Sequence, residues 1–287
     1  MIQQIIINSI ISTALYILIS SGFWISYRVS KYFNFSHAAT FAISGYSMYA
    51  ITVNRNYPNG LAVLWATCIT IIIAYSLDRI IFMPARTRAA SPTILMIMSL
   101  GVYIFLQSAM ALLFGEDNKN LWYGNVSLGI KVFNARISNI QVVIVVSAIM
   151  IVIILRMMDK CTKYGLASSA VSKDKELARI SGINYERVMG FTNIICSTLG
   201  SVAGILIGLD LEIEPTMGLG TMLVGLVVVI VGGTRNILNM VCVAILLSAA
   251  QDIAVWYINS QWMDSIALLM LMIYLIIQSR RSTNLLQ

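Results

Sequence analysis

The run TILMIMSLGVYIFLQSAMALLF, Thr93 to Phe114, contains no charged residue. As a helix rising 1.5 Å per residue it would reach about 33 Å, enough to cross the roughly 30 Å hydrocarbon core of a bilayer. The whole chain has the same character. Of 287 residues, 59% are hydrophobic and only 11% are charged, against about 25% in soluble domains. No soluble core hides that much apolar surface, so the solvent is lipid. Similar apolar runs fall near 5–26, 38–53, 61–82, 140–157, 189–209, 217–232, 237–257 and 263–279. The expected fold is all-α and polytopic, with eight or nine transmembrane segments, some short or broken. Residues 1–287 then form a single transmembrane domain. The start, MIQQIIINSIISTALYILIS, lacks a basic region and a cleavage site and reads as a retained first helix.

Orientation follows from lysine and arginine, which favour the cytoplasmic side near helix ends. With the polar connection 158–188 placed inside, 15 of the 19 basic residues fall on inner ends, and Arg55, Lys119, Lys131 and Arg136 fall outside. This predicts a periplasmic N-terminus and a cytoplasmic C-terminus. The net charge of +7 is therefore a topological signal and implies no nucleic-acid partner. Cys68, Cys161, Cys196 and Cys242 are scattered, which indicates neither a disulfide framework nor a metal site.

Three segments carry polar or helix-breaking residues at membrane depth. In FNFSHAATFAISGY (33–46), Asn34 or Ser36 can cap a helix that starts inside the membrane, and His37 is the single histidine of the chain. Such a start would aim its positive dipole end at a passing carboxylate or carbonyl; alternatively these residues only satisfy a broken backbone. In DKCTKYGLASSAVSKDKELARISGINYERV (159–188), SKDKELARIS suits a short helix capped by Ser172 or Asp174 and closed by Gly182. Leu177 and Ile180 share one face of it, and the mixed charges of Asp174, Glu176 and Arg179 suit a protein groove better than anionic lipid. In MGLGTMLVGLVVVIVGGTRNILN (217–239), Gly218, Gly220 and Gly225 permit close helix approach, while Gly232 and Gly233 end the helix before Arg235. Arg235 reads either as a plain inner helix end or as a solute contact.

The connection 115–139 holds VSLGIKVF (126–133), whose alternation suits a small outer hairpin. Asp210, Glu212 and Glu214 make an outer acidic patch. No phosphate-binding GxxxxGK[ST] loop occurs, so this chain does not hydrolyse ATP. Carboxylates deep in the apolar runs are nearly missing. Asp252 is the candidate, and an ion-gradient-driven secondary carrier that relied on it is the alternative reading.

Together, FNFSHAATFAISGY, SPTILMIMSLGVYIFLQ, SKDKELARISGINYERVMGF and MGLGTMLVGLVVVIVGGTRN resemble, in order and spacing, the membrane permease subunit of branched-chain amino acid ABC importers, a group that also serves urea and short amides. The resemblance implies a non-ATPase permease subunit in the bacterial inner membrane. It would pair with a second, often different, permease, with two ATPase subunits that hold ATP and magnesium, and with a periplasmic solute-binding protein. This chain itself would bind no cofactor and no metal. By the same resemblance, Asn34, Ser36, His37, Gly232 and Gly233 border the translocation pathway. Asp174, Glu176, Leu177, Arg179, Ile180, Gly182 and Ile183 form the coupling segment that meets the ATPase. The sequence departs from the family pattern at Ala38-Ala39, at Thr234-Arg235-Asn236-Ile237 and at Gln251-Asp252. These departures bear on which solute is carried.

Overall fold

A computed structural model describes residues 2–55, 59–121, 130–132, 135–257 and 262–284. The chain is helical almost throughout. Its helices are α1 (Ile2–Ser30), α2 (Ser36–Arg55), α3 (Asn59–Leu77), α4 (Met83–Thr87), α5 (Pro92–Phe114), α6 (Asn139–Cys161), α7 (Lys163–Lys173), α8 (Lys175–Ile180), α9 (Tyr185–Asp210), α10 (Met217–Gly232), α11 (Ile237–Tyr257) and α12 (Met263–Asn284). A π-helical turn, Asp78–Phe82, joins α3 to α4. Among the described residues, six helices are long and apolar enough to cross a membrane, and Met217–Gly232 and Ser265–Gln278 are shorter apolar helices.

Burial sorts these helices into a centre and a rim. In the most apolar window of α9, 61% of residues are buried, and in that of α1, 44%; in α6 the figure is 17%. Thus α1 and α9 form the axis of the bundle. α2 packs on α9, α3, α5 and α10, and α11 packs on α1. The rim turns large apolar side chains outward, including Ile97, Phe105 and Leu112 of α5 and Val143, Ile149 and Ile153 of α6. In water such faces would be aggregation sites; in lipid they are ordinary surface.

Small residues let the central helices touch. A Cβ on Gly218 would come within 2.5 Å of the Ala38 carbonyl, and one on Gly225 within 2.8 Å of Ile19. Gly220 meets nothing within 4 Å, so the expectation of a close approach there is corrected. It faces a cavity wall instead.

Two further expectations change. The apolar stretch 38–53 belongs to a longer helix, α2, because the polar residues at both ends continue the helical backbone. SKDKELARIS is not one helix: Asp174 adopts an extended backbone that ends α7 and caps α8. At the far end, β1 (Ile130–Val132) pairs antiparallel with β2 (Ala135–Ile137), in the register Lys131 to Arg136. A hairpin thus stands within the connection 115–139; residues 126–129 and Phe133 of VSLGIKVF lie outside the described residues. A bridge between Lys119 and Ile213 ties the strand-side connection to the acidic one. There Glu212 accepts hydrogen bonds from the carboxamides of Asn118 and Asn120.

Candidate functional site

The link between α1 and α2 starts with Lys31, which takes the left-handed conformation (φ 61°) and stops α1. The chain then runs back along α1: the Phe33 ring stacks on Tyr27 with centroids 4.2 Å apart. By His37 it lies beside Gly22, eight residues above the end of α1, or about 12 Å up its axis. α2 therefore starts inside the bundle. Non-helical backbone at such depth needs internal partners. Ser99 of α5, fully buried, supplies one: its Oγ accepts from the Phe35 amide at 2.9 Å. Asn34 supplies another. Its Oδ1 accepts from the Ser36 amide at 3.1 Å and from Ser36 Oγ at 2.6 Å. Asn34 is thus the cap, and Ser36 donates to it. Ser99 was not singled out from sequence, because one serine in an apolar run gives no signal of the backbone it will meet.

His37 is enclosed, at 5% exposure. Its ring stands edge-on to Phe23 at 4.5 Å and to Phe41 at 5.4 Å. Nε2 has no hydrogen-bond partner. A Cβ on Gly22 would overlap Nε2, and one on Gly200 would lie 2.9 Å from Cε1. The imidazole thus fills a cradle between two glycines of the axial helices. Gly232 and Gly233 stand elsewhere. A Cβ on Gly232 would meet Met240 Cα at 2.8 Å, and Gly233 turns the chain with φ 69°. So the structure groups Asn34, Ser36 and His37, while Gly232 and Gly233 form a separate turn between α10 and α11. It is the opposite end of the third motif, Gly218, that rests on the start of α2.

At the other candidate surface, Asp174 Oδ1 accepts from the amides of Glu176 (2.8 Å) and Leu177 (3.0 Å), capping α8. Gly182, at φ 83°, closes it, with its amide bonded to the Arg179 carbonyl. Ala178 packs inward with Val29, Val171, Val188 and Met189, and Ile183 rests against them. Leu177 and Ile180 point away, at 62% and 82% exposure, with Glu176 and Arg179 also exposed. The helix is held from behind and bare in front.

Behind it lies a cluster that the sequence displays only as positive charge. The Arg86 side chain is 2% exposed. Nη1 and Nη2 donate to Asp78 at 2.8 and 3.2 Å, and Nη2 also to Glu186 at 3.0 Å. One guanidinium therefore joins the α3–α4 elbow to the first turn of α9. Tyr32 lies beside it; burial raises its pKa above the usual tyrosine value, with Arg86 pulling the other way. Lys175 of α8 sits 3.9 Å over the Tyr185 ring, bringing the short helix to the same place. The available signal was Asp78, an acid at the end of an apolar run.

The described residues include no group of three or more His, Cys, Asp or Glu side chains able to hold a metal. Comparison with known proteins agrees with the helical architecture. A structure of PsaBC from Streptococcus pneumoniae in complex with Fab superposes with a TM-score of 0.50 at 11% identity, covering 95% of this chain and 90% of that one, which speaks to the fold alone. The high-affinity branched-chain amino acid transport system permease protein LivH of Salmonella typhimurium is 24% identical over 96% of this chain and 92% of its own length. BraD of Pseudomonas aeruginosa, described in the same words, is 26% identical over 95% and 92%. A probable LivH of Methanocaldococcus jannaschii is 24% identical over 90% and 82%. The model of the branched-chain amino acid transport system / permease component family matches residues 5–276, and the chain belongs to that family.

Proposed function

We propose that this chain is the permease subunit of an ATP-driven importer in a bacterial inner membrane, moving branched-chain amino acids or a related small polar solute. Nine crossings, with the N-terminus periplasmic and the C-terminus cytoplasmic, fit the distribution of basic residues. The partners are a second permease, two ATPase subunits carrying ATP and magnesium, and a periplasmic binding protein.

The observation that carries the reading is α8. A six-residue helix is too short to hold its shape alone, yet this one is capped at both ends and anchored by Ala178. Its two large aliphatic side chains are left bare among mixed charges, the form of a helix built to seat in a protein groove. Its proximity to the Arg86 cluster offers a rigid route from that groove to α3 and α9.

The test is purification of the chain with its genomic neighbours co-expressed. The expected result is a complex containing ATPase subunits in equal number to permease subunits, with leucine uptake into proteoliposomes that requires ATP. Uptake driven by an ion gradient, without any ATPase chain, would refute it.

A further inference from the structure

A cavity of about 530 Å³ opens at the end of the bundle opposite α8, within the range of small-molecule sites. The first half of α1, the starts of α6, α10 and α12, and the ends of α9 and α11 line it. In the proposed orientation this is the outer end. Its polar lining includes Asn8, Ser12, Gln141, Asp210, Thr221 and Asp252. The remainder is mainly aliphatic, including Ile11, Leu15, Ile207 and Val224.

Among the described residues, two carboxylates and no lysine or arginine line the cavity. Neither acid takes part in an ion pair among the described residues. Asp252 Oδ1 accepts from Ser12 Oγ at 3.5 Å, and the Ser9 side chain lies close by. Oδ2 is buried and has no partner. The Gln141 side chain lies beside Asp210. Hydroxyls and a carboxamide orient these acids without neutralising them. An acid among membrane helices ordinarily has a counter-charge, because an unpaired one is costly. A cation in the cavity would complete the set.

We propose that this cavity is an outer holding site for a zwitterionic solute, with Asp252 and Asp210 receiving its ammonium group and the aliphatic wall receiving its hydrocarbon side chain. The carboxamide nitrogens of Asn8 and Gln141 supply donors for the solute carboxylate, while the Thr221 hydroxyl is already given to the Met217 carbonyl. The inference rests on the importer reading given above.

The test uses the assembled transporter with Cys68, Cys161 and Cys242 replaced by serine and Thr221→Cys as reporter. Cationic and anionic methanethiosulfonates of similar size are compared. The cationic reagent should modify position 221 roughly tenfold faster, as expected of a cleft lined by one sign of charge. Asp252→Asn should bring the two rates close together, and Asp210→Asn should lower the ratio in the same direction, so one poorly folding variant does not end the test. Leucine should slow modification; 4-methylpentanoate, which lacks the ammonium, should not. Equal rates for the two reagents, or no protection by leucine in a transporter that imports leucine, would overturn the site. Leucine protection that survives Asp252→Asn while uptake is lost would also overturn it, by making Asp252 a proton carrier instead. If no branched-chain amino acid is imported, the importer reading fails separately. Charge preference together with protection by isoamylamine would then still support an ammonium site.

Discussion

The Arg86 guanidinium turns back to grip Asp78, eight residues earlier, with two hydrogen bonds, 2.8 and 3.2 Å long, across a five-residue π-helical turn. The wide turn changes the phase of the helix, and this bidentate grip holds the two sides of the turn together. Both side chains are nearly dry, so removing one partner strands a buried charge.

Arg86→Met should therefore lower stability by about 3–5 kcal/mol, the usual cost of orphaning a buried ion. Adding Asp78→Asn and Glu186→Gln to Arg86→Met should recover much of that loss, since the stranded charges are gone. Thermal unfolding in detergent, followed for the single and the triple variant, measures both effects. A triple variant no more stable than the single one would show that the cluster does not act as a unit.

The cradle around His37 makes a second pair of expectations. Gly22→Ala places a methyl group against Nε2, and the ring cannot move because Phe23 and Phe41 hold its faces and edges. Overpacking of this kind costs about 1–3 kcal/mol. Combining Gly22→Ala with His37→Ala should relieve the clash, so the double variant should lose less than the sum of the two single losses. A double-mutant cycle in unfolding free energy, with additivity as the contrary result, decides it.

Asp174→Ala removes the acceptor for two amides at the start of α8, an effect of about 1 kcal/mol by analogy with other caps. Because α8 lies at the periphery, the change should be local. Hydrogen exchange should quicken at Glu176 to Ser181, while the melting temperature of the bundle stays within about 1–2 °C.

Leu177→Asp with Ile180→Asp should leave membrane insertion and folding intact, since both side chains are exposed. It should reduce solute uptake by at least about tenfold, and ATPase activity should no longer respond to the solute-loaded binding protein, as loss of an apolar anchor pair from a groove predicts. Undiminished uptake would remove α8 from the coupling role.

What the sequence disclosed depended on the range of the interactions concerned. Apolar runs such as Thr93–Phe114 locate helices because hydropathy is a local property. Caps read well for the same reason: Asp174, Gly182 and Gly233 sit where short-range chemistry places them. The contacts that build the candidate site are long-range. Nothing near Ser99 announces that it will accept from Phe35, 64 residues away. Arg86 looked like a topogenic charge because its two carboxylates lie across a turn and 100 residues downstream. Gly218 and Gly220 are alike in sequence, yet only the first meets another helix, because they face different sides of α10.

The imidazole of His37 works as a dowel. It passes from α2 into matching recesses in α1 and α9, and a close-packed interior gives it no room to shift. These three helices are thereby pinned as one block. Any relative motion of helices in this bundle must run along other seams, and the Gly232–Gly233 turn, between α10 and α11, stands outside the block.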